Sequence, residues 1–98
     1  VLLTQLNALV AVTRTTPRPN MPHDELDLIR KVTLRFPWVP VQNCYALSLA
    51  LNGEPTEAIR QLQVLRATHG EKVYEGIKAN WTELAHTKYP QLNVLALP

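Results

Sequence analysis

The side chains with chemical capacity are few and scattered: three histidines (His23, His69, His86), one cysteine (Cys44), one serine (Ser48) and eight carboxylates. A transition-metal site needs several ligands brought to one point. No histidine joins a ligand-like cluster along a predicted helix, and His23 and Asp24, being adjacent, point apart. Any metal site would have to be assembled from distant segments. Cys44 lies on the most apolar stretch, whereas a reactive thiolate needs an electropositive, partly exposed setting. Ser48 sits on the same stretch without the glycine-flanked elbow of a nucleophilic serine. Three glycines supply neither a GxGxxG nor a Walker loop for phosphate. Trp38, Trp81, Tyr45 and Tyr74 invite comparison with a sugar-stacking platform. Their places in helical stripes and proline bends instead predict core packing.

Charge leaves one further candidate. Residues 1–40 carry Arg14, Arg18, Arg30, Lys31 and Arg35 against Asp24, Glu25 and Asp27; the remaining residues balance five basic with five acidic groups. This basic set is a candidate contact for anionic lipid headgroups or for an acidic partner surface. It is too sparse, with no interleaved base-reading groups, for a nucleic-acid interface.

The elements that must position these residues read as helices. At 98 residues, 46% hydrophobic and 18% charged, the chain is one globular domain. One cysteine allows no intrachain disulfide. No stretch approaches the roughly 18–20 apolar residues of a membrane span. The chain starts at Val1 with a helical pattern already under way, which reads as a piece of a longer protein. The expected division is an N-terminal helix and proline-rich connector over residues 1–20, then a helical domain over 21–98.

Leu2, Leu3, Leu6, Leu9 and Val10 form the stripe of a first helix over Leu2–Thr13, and "TTPRPNMP" follows as a connector. A second helix spans about Pro22–Phe36, with acids at its start and bases at its end. Leu26, Ile29, Thr33 and Phe36 make its face, widened by Leu28 and Val32. "FPWVP" breaks it, and Trp38, held between two prolines, is expected to plug the core there. Val41–Asn52 is apolar nearly all round, as a central helix is. Gly53 is expected in the left-handed conformation that ends a helix, and Pro55 opens the next. Ala58, Ile59, Leu62 and Leu65 form that helix's stripe, with Arg60, Gln61 and Gln63 toward water. Glu71 to about Thr87 is amphipathic, with Val73, Tyr74, Ile77, Trp81, Leu84 and Ala85 within about 120° of arc. The expected fold is all-α: a small bundle of four or five helices, with "QLNVLALP" running extended across it. Tyr45, Leu49, Leu62, Ile77 and Trp81 are the expected buried centre.

"YALSLALNGEPTEAIRQLQVL" is written like one tetratricopeptide unit. Ala46 takes the small position, Gly53 and Ala58 keep the spacing across the turn, and Leu62 and Leu65 point inward. No second copy occurs about 34 residues away, although about three repeats are needed for an array. A single tetratricopeptide-like hairpin inside a non-repetitive bundle is the expectation.

Beyond this hairpin, "RFPWVPVQNCYALSLALNGEPTEAIRQLQVLRATHGEKVYEGIKANW" followed by "YPQL" resembles the C-terminal domain of membrane-bound O-antigen polymerase/ligase-type proteins. The O-linked oligosaccharyltransferases that glycosylate bacterial pilins are the most similar group, over Met21–Pro98. The resemblance rests on Phe36-Pro37-Trp38, Tyr45-Ala46-Leu47, Leu51-Asn52-Gly53, Glu57-Ala58-Ile59, Gly70, Trp81 and Tyr89-Pro90. It implies a bacterial inner-membrane parent that moves a glycan from a lipid-pyrophosphate carrier to protein hydroxyls. This segment would then be its periplasmic domain. The family's catalytic residues lie elsewhere in the parent, so the implied domain has no catalytic residue and no cofactor. Its implied partners are the membrane part of the parent and an acceptor protein such as a pilin. The alternative reading is a stand-alone tetratricopeptide-like scaffold that binds a peptide.

Overall fold

The computed structural model describes residues 16–94 together with Asn7 and Val10, both helical. Most of the expected first helix, and Arg14, lie outside the described residues. The described chain forms helix α1 (His23–Arg35), α2 (Val39–Leu51), α3 (Pro55–His69), α4 (Glu71–Thr87) and a 3-10 turn over Pro90–Val94. No strand occurs among the described residues, and the fold is a small all-α bundle.

Local chemistry accounts for the boundaries. Asp24 and Glu25 occupy the first turn of α1 and Arg35 its last, complementing the helix dipole. Pro37 disfavours helical geometry at Phe36, where φ is −129° and ψ 80°. Pro40 and Pro55 sit in the first turns of α2 and α3, where a missing N–H costs nothing. The end of α2 is a glycine-terminated cap: Gly53 has φ 82°, and Glu54 N–H reaches back to the Leu49 carbonyl at 2.9 Å. Gly70, at φ 98°, turns α3 into α4.

α2 is the centre of the bundle. Val41, Gln42, Tyr45, Ala46, Leu47, Ser48, Leu49 and Leu51 are all buried, so it has no solvent face. α3 packs against it as a helical hairpin, with Ala58, Leu62 and Leu65 inward. α1 covers α2 through Ile29, Val32 and Thr33. α4 covers α3 through Tyr74, Trp81 and Ala85, and the 3-10 turn closes against α4 and α2. Of the five residues expected at the centre, Tyr45, Leu49, Leu62 and Trp81 are buried. Ile77 is only half-buried, since it lies toward the edge of the α4 stripe.

Two expectations are corrected. Trp38 does not plug the core: it is 53% exposed. It precedes α2 in an extended conformation, and its ring leans on Phe36 with centroids 5.3 Å apart. Phe36 is the aromatic of this bend that packs on the core. Through Val94 the tail does not run extended either; residues 95–98 of that expectation lie outside the described residues. It coils into the 3-10 turn, with Tyr89 and Leu92 buried.

The connector before α1 is pinned by one side chain. Asn52 Oδ1 accepts from Met21 N–H at 2.8 Å, and its Nδ2 donates to the carbonyls of Arg18 at 2.9 Å and Ser48 at 2.7 Å. Asn52→Ala is expected to cost about 2–3 kcal/mol, read from the denaturant midpoint, because three backbone groups lose a partner together. Asn52→Asp, which keeps the acceptor for Met21, should recover part of the loss. A change below about 0.5 kcal/mol for the alanine variant would mean that the connector is held by other contacts.

Candidate functional site

Among the described residues, a groove runs between α1 and the α2–α3 hairpin. Two cavities of about 160 Å³ and 170 Å³ open along it, and both are walled by Arg30 and Tyr45. Thr33, Leu34, Glu57, Arg60 and Gln61 complete the first; His23, Leu26, Asp27, Leu49 and Glu54 complete the second.

Tyr45 comes from the central helix; its side chain is buried and lines both cavities. The hydroxyl has no hydrogen-bond partner among the described residues. Burial pushes this phenol's pKa up, with the Glu57 carboxylate adding to the effect, so it stays a neutral donor at physiological pH.

Each wall carries an arginine locked to a carboxylate one turn away. Arg30 places Nε at 3.2 Å and Nη2 at 2.7 Å from Asp27 Oδ1, and Lys31 Nζ lies 2.9 Å from Asp27 Oδ2. Arg60 grips Glu57 through Nε at 2.8 Å and Nη2 at 2.5 Å, with Gln61 adding a bond at 3.0 Å. Hydrogen bonds from Arg60 and then Gln61 hold the Glu57 carboxyl down to about 2. Those from Arg30 and Lys31 lower Asp27. Both acids therefore stay ionised at ordinary pH, and neither serves as a proton donor. A guanidinium has five N–H donors, so each arginine keeps several to offer a ligand. The arginine donors and carboxylate acceptors stand beside Leu26, Leu34 and Leu49, so the groove presents both polar and apolar surface to a ligand.

The expected basic set is only partly gathered here. Arg30 lines the groove. Arg18 is committed to Glu25 in a bidentate pair, at 3.0 Å and 2.7 Å. Arg35 has no ion pair among the described residues, and Arg14 is not among them. In the sequence Arg60 and Gln61 read only as water-facing, and Glu57 enters only as part of the Glu57-Ala58-Ile59 motif of the family resemblance. The Glu57–Arg60 spacing, one turn apart, was the available signal.

The other chemical candidates are structural. Ser48 is buried and donates to the Cys44 carbonyl at 2.7 Å. Burial raises the Cys44 thiol's pKa, which is opposite to activation. His69 Nε2 lies 3.1 Å from the Pro37 carbonyl and 2.8 Å from Gln42 Oε1. Two oxygen acceptors require a proton on that nitrogen, and the histidine ties the end of α3 to the α1–α2 bend. Trp81 and Tyr74 are core residues. No group of three metal-ligating side chains exists among the described residues.

Comparison with known proteins adds one finding. The family model described as "Virulence factor membrane-bound polymerase, C-terminal" matches residues 1–83. No curated protein and no solved structure matches the chain.

Proposed function

The chain belongs to the family of C-terminal domains of membrane-bound virulence-factor polymerases, and from that premise we propose that it is a non-catalytic accessory domain of a glycan-transferring membrane enzyme. The parent is read as an O-linked oligosaccharyltransferase or an O-antigen polymerase/ligase-type protein of the bacterial inner membrane. It takes its glycan from a lipid-pyrophosphate carrier, and the domain stands on the periplasmic side. No described helix is long and apolar enough to cross a membrane, which agrees with a domain appended to the spanning part.

The observation that carries this reading is the family match. The groove gives it a mechanism. Tyr45, Arg30 and Arg60 offer donors, and Asp27 and Glu57 offer acceptors, to an extended segment of an acceptor protein such as a pilin. The domain would hold that segment while the membrane part transfers the sugar. Such holding raises the effective concentration of acceptor without contributing to the chemical step.

The test is glycosylation of an acceptor protein by the full-length parent. Arg30→Ala with Arg60→Ala removes solvent-exposed ion pairs, which contribute little to stability, so the fold should persist. Acceptor glycosylation is expected to fall about tenfold, with KM for acceptor rising more than kcat falls. The 98-residue chain alone should transfer no glycan. A double variant with wild-type acceptor kinetics would remove the docking role, and transfer by the isolated chain would remove the accessory assignment.

A further inference from the structure

At the C-terminal end of α1 the surface changes character. Leu34 is 74% exposed and Trp38 53% exposed, while the opposite side of α1, bearing Ile29 and Val32, is buried. Lys31, Leu34 and Arg35 stand one helical turn apart, so they share one outward face. Arg35 has no carboxylate partner among the described residues. Phe36, half-buried beneath the Trp38 ring, braces it from the core side. The acids of α1 lie toward its other end: Asp24 and Glu25 in the first turn, and Asp27 already paired to Arg30 and Lys31.

We infer that this corner, formed by Lys31, Leu34, Arg35 and Trp38, seats in the anionic headgroup region of a bilayer. Tryptophan is the side chain most at home where hydrocarbon meets water. Leucine beside it adds apolar area, and the Arg35 stem lies along that area with its charge reaching phosphate, while Lys31, paired to Asp27, adds its aliphatic stem. A buried protein interface would favour the same tryptophan but is depleted in lysine. Charge complementarity with anionic lipid thus decides the occupant, and the family's membrane-bound parent supplies the surface. Leu34 also lines the groove, so the seated corner would hold the groove mouth close to the membrane plane. That would place a bound acceptor segment within reach of a lipid-linked donor.

The experiment uses the 98-residue chain with vesicles of phosphatidylethanolamine containing phosphatidylglycerol, and with vesicles of phosphatidylcholine alone. Of the two tryptophans, Trp81 is 1% exposed, so any change in emission reports Trp38. A blue shift is expected on the anionic vesicles, with quenching when their acyl chains are brominated. Arg35→Glu should weaken co-sedimentation with anionic vesicles by roughly fivefold or more. Leu34→Ser combined with Trp38→Ala should abolish it while leaving the helical circular dichroism unchanged. Three outcomes would overturn the inference: no binding to anionic vesicles, unchanged sedimentation of the double variant, or a shifted emission that brominated lipid does not quench. Glycan transfer is not measured, so failure here leaves acceptor docking standing.

Discussion

Replacing Trp81 with alanine is expected to cost about 3–5 kcal/mol, the range for emptying an aromatic core site. The side chain is the largest of the fully buried ones. It extends from α4 across the bundle to α2, where its indole Nε1 donates to Asn43 Oδ1 at 2.7 Å. Two losses therefore combine. The packing of the ring disappears and leaves a cavity, and Asn43 loses its donor in a half-buried setting. A domain of this size has a total stability of about 5–15 kcal/mol, so the variant gives up a large share of it. Urea titration checks this: the midpoint should fall with the slope unchanged. Trp81→Phe, which keeps most of the ring but not the N–H, should fall between alanine and wild type. A loss below about 1 kcal/mol for alanine would mean that the ring is not a core element.

Trp81 was legible from sequence because periodicity within one helix is a local property. Tyr74, Trp81 and Ala85 recur at helical spacing, so the buried side of α4 follows from the chain itself. The same holds for the turn at Gly53 and for the prolines that open α2 and α3. Trp38 was not legible. It lies outside any helix, where no period says which way a side chain points. Phe36 and Trp38 are alternative candidates for one core position, and only the direction in which α1 enters the bend decides between them. Asn52 reads in the sequence only as part of the Leu51-Asn52-Gly53 helix end, for a related reason. Its partners, Arg18 and Met21, stand more than thirty residues earlier, and nothing local to Asn52 marks it as a brace.

The groove shows the same division. The pairs Asp27–Arg30 and Glu57–Arg60 each follow helical spacing and can be read along one segment. Their convergence on Tyr45 requires α1 and α3 to flank the same side of α2, which is a tertiary fact. The basic residues of the first half looked like free charge in the sequence. In the fold, Arg18, Arg30 and Lys31 are held by carboxylates, and a phosphate would have to displace those partners. Arg35 is the described member of the set without such a competitor, which is why the lipid contact is assigned to its corner. The family match then supplies what geometry does not, a membrane-bound parent.

A chain ending at residue 83, where the family match stops, is expected to be largely unfolded. The match boundary falls inside α4, and the residues beyond it complete the core. Ala85, Tyr89 and Leu92 are buried. Tyr89 N–H caps α4 at the Leu84 carbonyl, 2.7 Å away. Its hydroxyl donates to the Pro17 carbonyl at 2.6 Å, tying the end of the domain to the connector before α1. Asn93 Nδ2 adds a bond to the Ala85 carbonyl at 3.3 Å. Removing one large buried side chain costs about 2–5 kcal/mol, and this cut removes two together with the last turn of α4. The sum approaches the whole stability expected of such a domain. The fragment should show weak helical circular dichroism and no cooperative melt. Tyr89→Ala combined with Leu92→Ala in the 98-residue chain should lower the melting temperature by tens of degrees, at about 4–8 °C per kcal/mol. The two sites adjoin, so their costs need not add. A fragment that melts cooperatively within a few degrees of the 98-residue chain would show that the 3-10 turn decorates a core already complete without it.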